Sequence, residues 1–143
     1  MGEGSKTPVR ITRDFECSPE VIFSFWVDPA RMKRWLFLGP TREIREVLNE
    51  PRSGGRFSIR ERNQGETIDH FGVYEEVERP RLLEFTLHVP KHFSGVTKVR
   101  IELAPAANGC RMIFTQTSVT AEVTEEPWRL MFDTLARVTA TGS

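Results

Sequence analysis

Apolar and polar residues alternate with a period near two from Val9 through Ile11 and Arg13 to Phe15, with Arg10, Thr12, Asp14 and Glu16 between them. That pattern predicts a first strand. The spacing then becomes helical. Ser18 is a good N-cap, and Pro19 suits a first helical position, where the N–H that proline lacks would have no partner anyway. Val21, Ile22, Phe25 and Trp26 follow on one face. Asp28-Pro29 repeats the start signal; Met32, Trp35 and Leu36 supply the buried side of a second short helix, and Gly39-Pro40 stops it.

Alternation returns at residues 44–48 and continues, punctuated by turn chemistry, to about Val119. Phe57, Ile59 and Glu61 share one strand face; so do Leu83, Phe85, Leu87 and Val89, then Val99, Ile101 and Leu103, then Met112, Phe114 and Gln116. Residues 67–77 form a long strand that Gly72 interrupts, read as a bulge or bend. Turns are expected at 51–55, 63–65, 79–80, 90–95 and 106–109. A final amphipathic helix starts near Thr124, with Pro127 in its first turn, and carries Trp128, Met131, Phe132 and Leu135.

The predicted order is strand, two short helices, about six strands, long helix: an α+β chain. Strands joined by short turns pair antiparallel, because parallel neighbours need a long crossover. One helix cannot cover six flat strands, so the sheet must curve around it. A curved wall closing on one helix is expected to enclose a cavity.

A length of 143 residues fits one domain, placed at 9–139 behind a disordered leader at 1–8. Lys plus Arg equals Asp plus Glu at 20 each, so nothing in the charge favours nucleic acid or an anionic membrane. Arg31, Lys33 and Arg34 read as the solvated face of a helix. No apolar run approaches the roughly 20 residues of a membrane span, and the first residues lack the apolar stretch of a signal peptide. Cys17 and Cys110 are too few for a disulfide scaffold and read as small buried hydrophobes. A cytoplasmic protein with reduced thiols is the expectation.

The pattern Phe15-x-x-Ser18-Pro19-Glu20-x-Ile22-Phe23, then Asp28-Pro29, then Trp35, resembles the opening of the START-like (SRPBCC) superfamily. Ser53-Gly54-Gly55-Arg56-Phe57, Gly72-x-Tyr74-x-Glu76-Val77, Pro80-x-x-Leu83-x-Phe85 and Gly109-x-Arg111-Met112 follow in order, ahead of the Trp128 helix. Together they are similar to the family named for the activator of the ninety-kilodalton heat-shock-protein ATPase, over roughly residues 9 to 139. The resemblance implies a helix-grip fold: a seven-stranded antiparallel sheet wrapped around the C-terminal helix, with two short helices after the first strand. It also implies a cavity for apolar small molecules, an inward-facing Tyr74, and a single-domain bacterial protein with no assigned reaction. Two positions depart from the family: Gln116 stands where relatives often carry histidine, and Pro127 where they carry glycine.

No catalytic motif is visible, and no cofactor or metal is expected. His88 and His92 are four apart, but Pro90 between them breaks helical pairing, so surface and loop roles are expected. His70 shares a strand face with Ile68, Gly72 and Tyr74, while Phe71, Val73 and Val77 lie opposite; the alternation alone leaves open which face is inward. An inward His70 is either a cavity donor or acceptor or a histidine satisfied by a neighbouring strand residue. Glu61 and Glu76 are candidate cavity carboxylates, with arginine-paired rim positions as the plainer alternative.

Trp26, Trp35, Phe57, Phe114, Trp128 and Phe132 form an aromatic group, and pockets are lined mainly by such residues with a few polar ones. The expected ligand set is Trp35, Phe57, His70, Tyr74, Phe114, Gln116, Trp128, Met131 and Phe132. The expected function is binding of an apolar or aromatic small molecule, with residues 19–36 and 90–96 gating access. An enzyme of cyclase or hydrolase type using His70 or a cavity glutamate is one alternative, resting on fold analogy. A module binding a chaperone is another, although a chain of this length has no room for the eukaryotic activator's further N-terminal domain.

Overall fold

The computed structural model describes residues 8–37, 42–63, 65–90, 95–117, 119 and 121–140. Residues 1–7 of the expected leader, the expected Gly39-Pro40 stop and most of the expected 90–95 loop lie outside the described residues. In chain order the elements are β1 (Val9–Phe15), α1 (Pro19–Val27), α2 (Pro29–Met32), β2 (Arg42–Asn49), β3 (Arg56–Asn63), β4 (Glu66–Glu78), β5 (Leu82–Leu87), β6 (Thr97–Ala106), β7 (Gly109–Thr117) and α3 (Ala121–Ala140). The strands make one seven-stranded sheet in the order β1-β7-β6-β5-β4-β3-β2. Every pairing is antiparallel. β1 leaves sequence order to pair with β7, from Val9 opposite Gln116 to Phe15 opposite Cys110. The α1–α2 connection therefore carries the chain from one edge of the sheet to the other. This is the expected helix-grip architecture.

Local signals start both short helices. Ser18 caps α1 by accepting from the Val21 N–H, and Asp28 caps α2 by accepting from the Ala30 N–H. The basic cluster is only partly a solvated face. The Arg31 and Arg34 guanidiniums lie 5.0 and 5.4 Å from the Phe25 ring, and Arg31 donates to Ser24 Oγ. Their stems and charges cover an aromatic that a bare surface would leave wet.

Two expectations are corrected. α3 begins at Ala121, not near Thr124, so Pro127 falls inside the helix beyond its first turn. Proline there removes one helical hydrogen bond. The buried stripe of Trp128, Met131, Phe132 and Leu135 compensates, because it faces the sheet whether or not that bond forms. The bulge in β4 lies between Tyr74 and Glu76, not at Gly72. Gly72 serves a close approach instead: a Cβ there would lie 1.9 Å from the Thr86 carbonyl oxygen of β5 and 2.9 Å from the Phe57 ring.

The inward face of β4 carries Ile68, His70, Gly72 and Tyr74, whereas Asp69, Phe71 and Val73 point outward. The core lies between this concave face, α1–α2 and α3. Tyr74 Oη donates to Asn49 Oδ1 at 2.6 Å, and Asn49 Nδ2 donates to the Val27 carbonyl at 2.6 Å. This short relay ties the end of α1 to β2 and β4.

Candidate functional site

The space between sheet and helices is filled by aromatic rings. Trp26 of α1 sits at the centre, edge-on to Trp35 at 4.8 Å and 6.0 to 6.4 Å from Trp128, Phe132, Phe85 and Phe114. Beside it remains a void of about 10 Å³, walled by Trp26, Met32, Phe37, Phe57, Tyr74 and Trp128 among others. A single water needs about that much room, so the void holds no organic ligand as it stands. The roomy cavity expected from the sheet's curvature is closed in this conformation, because six large rings, Trp26 and the five around it, converge between sheet and helices.

The nine expected ligand residues all lie inside, in unequal roles. Phe57, Tyr74 and Trp128 line the void, while Trp35, Phe114 and Phe132 pack behind Trp26. Gln116 accepts from Trp128 Nε1 at 2.8 Å and donates to Thr97 Oγ1 at 3.0 Å, and Thr97 in turn donates to the Leu87 carbonyl. That chain of bonds anchors α3 to β7, β6 and β5. It also engages both ends of the Gln116 amide. Met131 accepts the Phe37 backbone N–H on its sulfur at 3.0 Å.

His70 meets Glu61, with Nε2 2.6 Å from Oε1. The two side chains are 3% and 0% exposed. Glu61 lies opposite Ile68 in the β3–β4 ladder, so His70 is its diagonal neighbour across the hairpin, within reach of a long side chain. His70 is thus bonded to a neighbouring strand residue, as the plainer of its two readings has it. A carboxylate this deep requires such a partner, since an unpaired charge would be expelled or neutralised. Glu76 is exposed and is not a cavity carboxylate.

One participant escaped the sequence, and another was left out of the expected ligand set. Phe37 stacks on the His70 ring at 3.7 Å with 15° between planes, and holds a left-handed backbone at φ 55. That conformation costs a non-glycine residue on the order of 1–3 kcal/mol. Trp26 stands in the expected aromatic group, as core or cavity wall, but not in the expected ligand set. Its indole N–H, buried with 2% of the residue exposed, has no acceptor among the described residues, whereas Trp35 Nε1 donates to the Phe25 carbonyl at 2.9 Å. Nothing in residue type or spacing separates the three tryptophans in this respect.

Burial also shifts Cys17, Tyr74 and Cys110 upward, the last two most. The Tyr74 phenol is held above its ordinary range, and the Cys110 thiol is pushed up to about 11, with Cys17 and Asp14 nearby adding to the effect. Both folded pKa values exceed the unfolded ones. The stability they confer is therefore complete below about pH 9 and is lost as pH rises through the folded value. Denaturant melts between pH 8 and 11 should show falling stability, and Cys110 should resist alkylation at pH 8 until the chain is unfolded.

A second feature lies on the outer face of the sheet. An open groove of about 740 Å³ runs over Leu48, Arg56, Ser58, Phe71, Val73 and His88. Leu48 is 60% exposed, and the Phe71 and His88 rings stack at 5.0 Å and 3°. His88 thus has the expected surface role; His92 lies outside the described residues. Among the described residues no His/Cys/Asp/Glu group is arranged to hold a metal ion, and no helix is long and apolar enough to cross a membrane.

Comparison with known proteins adds a family match. The family described as "Activator of Hsp90 ATPase homolog 1-like protein" matches residues 16–140. Among solved structures, a Rhodobacter sphaeroides protein superposes with a TM-score of 0.84 at 22% identity, covering 99% of this chain and 98% of its own. A Chromobacterium violaceum protein gives 0.82 at 21%, covering 91% and 95%. The AHSA1-like protein from Aeromonas hydrophila gives 0.80 at 20%, covering 95% and 94%. At these identities the likeness establishes the fold alone. No curated protein matches.

Proposed function

Because the chain belongs to the Activator of Hsp90 ATPase homolog 1-like family, we propose that it binds a small, mostly apolar molecule between its sheet and α3. The observation that carries this reading is the Trp26 indole N–H, buried without an acceptor among the described residues at the edge of an aromatic-walled void. A buried donor left unmatched costs about 1–3 kcal/mol, so an oxygen acceptor on a ligand would recover energy that the closed interior forgoes. Apolar area removed from water would supply the remainder, at about 25 cal/mol per Å². The closed packing requires side chains to move aside as the guest enters.

Native mass spectrometry of protein purified from its own host is expected to show a co-purifying organic molecule released on denaturation. Bare polypeptide mass, with no adduct even after addition of 2-naphthol, would count against the reading. An enzymatic role for His70 or Glu61 has no comparable support, since each engages the other and neither lines the void as it stands.

The outer groove favours a second reading, a protein-binding surface. Its exposed Leu48, Phe71 and Val73 are the kind of apolar patch that marks protein contacts, and the family's name points to a chaperone ATPase as the partner. Loss of chaperone binding in Phe71→Asp would support it, and absence of any binding by the wild-type chain would remove it.

A further inference from the structure

We propose that Phe37 occupies the seat of a planar ring of the ligand, so that the interior selects flat aromatic molecules carrying an oxygen acceptor. This rests on the reading of the interior as a ligand site and names the class of guest.

The seat is flat. Phe37 lies face to face with His70 at 3.7 Å and 15°, while the Trp128 ring stands at 60° to it with centroids 5.7 Å apart. His70 itself is held at its ring edge by Glu61 at 2.6 Å, which leaves its face free to act as a fixed platform. A saturated ring, puckered and thicker, would not reproduce that contact. Stacked aromatic pairs gain attraction beyond the area they bury.

The backbone of Phe37, unlike its ring, is weakly held. It sits at φ 55, a region that side-chain-bearing residues seldom occupy, and its N–H is bonded to the thioether sulfur of Met131 rather than to an oxygen. Sulfur is a weak acceptor, so release of this residue sacrifices little hydrogen bonding and relieves backbone strain. Phe37 and Trp26 border the same void. Vacating the phenyl ring would therefore join its space to the void beside the unmatched indole N–H. An apolar cavity on the order of 150 Å³ suffices for a benzene ring. A ring in the place of Phe37 would stack on His70, and an oxygen on its rim would accept from Trp26.

The test compares 2-naphthol with decahydro-2-naphthol, which share a skeleton and a hydroxyl but differ in flatness, by calorimetric titration of the wild-type chain, Phe37→Ala and Phe37→Leu. Removing the competing ring should tighten 2-naphthol binding by about tenfold, and 2-naphthol should exceed its saturated counterpart by a similar factor in Phe37→Ala. Phe37→Leu refills part of the seat without an aromatic face and should show the same trend with a smaller gain, which keeps the test available if the alanine variant unfolds. Equal affinity for the two probes, or unchanged 2-naphthol affinity in the Phe37 variants, would overturn the proposal while leaving the interior a ligand site. Failure of every form of the protein to bind either probe would remove the ligand reading and this inference together.

Discussion

Replacing Glu61 with alanine should lower the unfolding free energy by about 1–3 kcal/mol, because it removes the buried carboxyl group that bonds His70. The pair is almost fully shielded from water and bonded at 2.6 Å. Its mutual attraction offsets the desolvation of both groups only while both are present. His70→Ala should cost a similar amount for the reciprocal reason. The double variant Glu61→Leu/His70→Phe removes both polar groups, roughly preserves volume, and keeps a ring beneath Phe37. It should recover most of the loss or exceed wild type. Urea denaturation of the three variants separates the possibilities. Single losses under about 1 kcal/mol would show that the two side chains find adequate alternatives and that the bond at the platform is dispensable.

Gly72→Ala should be at least as damaging. The added methyl would need to stand 1.9 Å from the Thr86 carbonyl oxygen and 2.9 Å from the Phe57 ring. The first obstacle is backbone of the neighbouring strand, which cannot rotate away. β4 and β5 must part, and Phe57 must leave the wall of the void. A loss of about 4 kcal/mol or more is expected, in the tail reserved for severe overpacking. Gly65→Ala, where nothing lies within 4 Å of the added carbon, is the informative companion. There the penalty comes from a backbone at φ 85 alone and should be smaller. Equal melting temperatures for Gly72→Ala and the wild type would refute the close-packed contact between β4 and β5.

The fold was legible because each local signal agreed with the global one. Ser18-Pro19 and Asp28-Pro29 start helices wherever they stand ahead of apolar spacing, and Phe57-x-Ile59-x-Glu61 turns one face inward whatever it pairs with. β4 was ambiguous for a physical reason: Phe71 and Val73 are as apolar as Ile68 and Tyr74, so alternation could not assign its faces. The resemblance placed Tyr74 inward, and the structure agrees. The Glu61–His70 pair was within reach of the same reasoning, since the turn at 63–65 brings two like-facing positions to a diagonal of one hairpin. Phe37 was not, because its position depends on a left-handed residue after α2 that no composition marks. The helix boundary was misread because Pro127 suggested a first turn, whereas burial of the Trp128–Leu135 stripe tolerates it deeper in the helix. The closed interior was also beyond a one-dimensional reading. Alternation shows which side chains point inward but not whether their summed volume leaves a gap.

The indole N–H resonances of the three tryptophans test the central claim most directly. Trp35 and Trp128 already donate to Phe25 and Gln116, and Trp26 has no acceptor among the described residues. On titration with 2-naphthol, the Trp26 indole proton should move strongly downfield as it gains an oxygen acceptor, while those of Trp35 and Trp128 change little. A Trp26 resonance that stays in place while amides of Leu48, Phe71 and Val73 shift would put the small molecule on the outer face of the sheet and contradict an interior site.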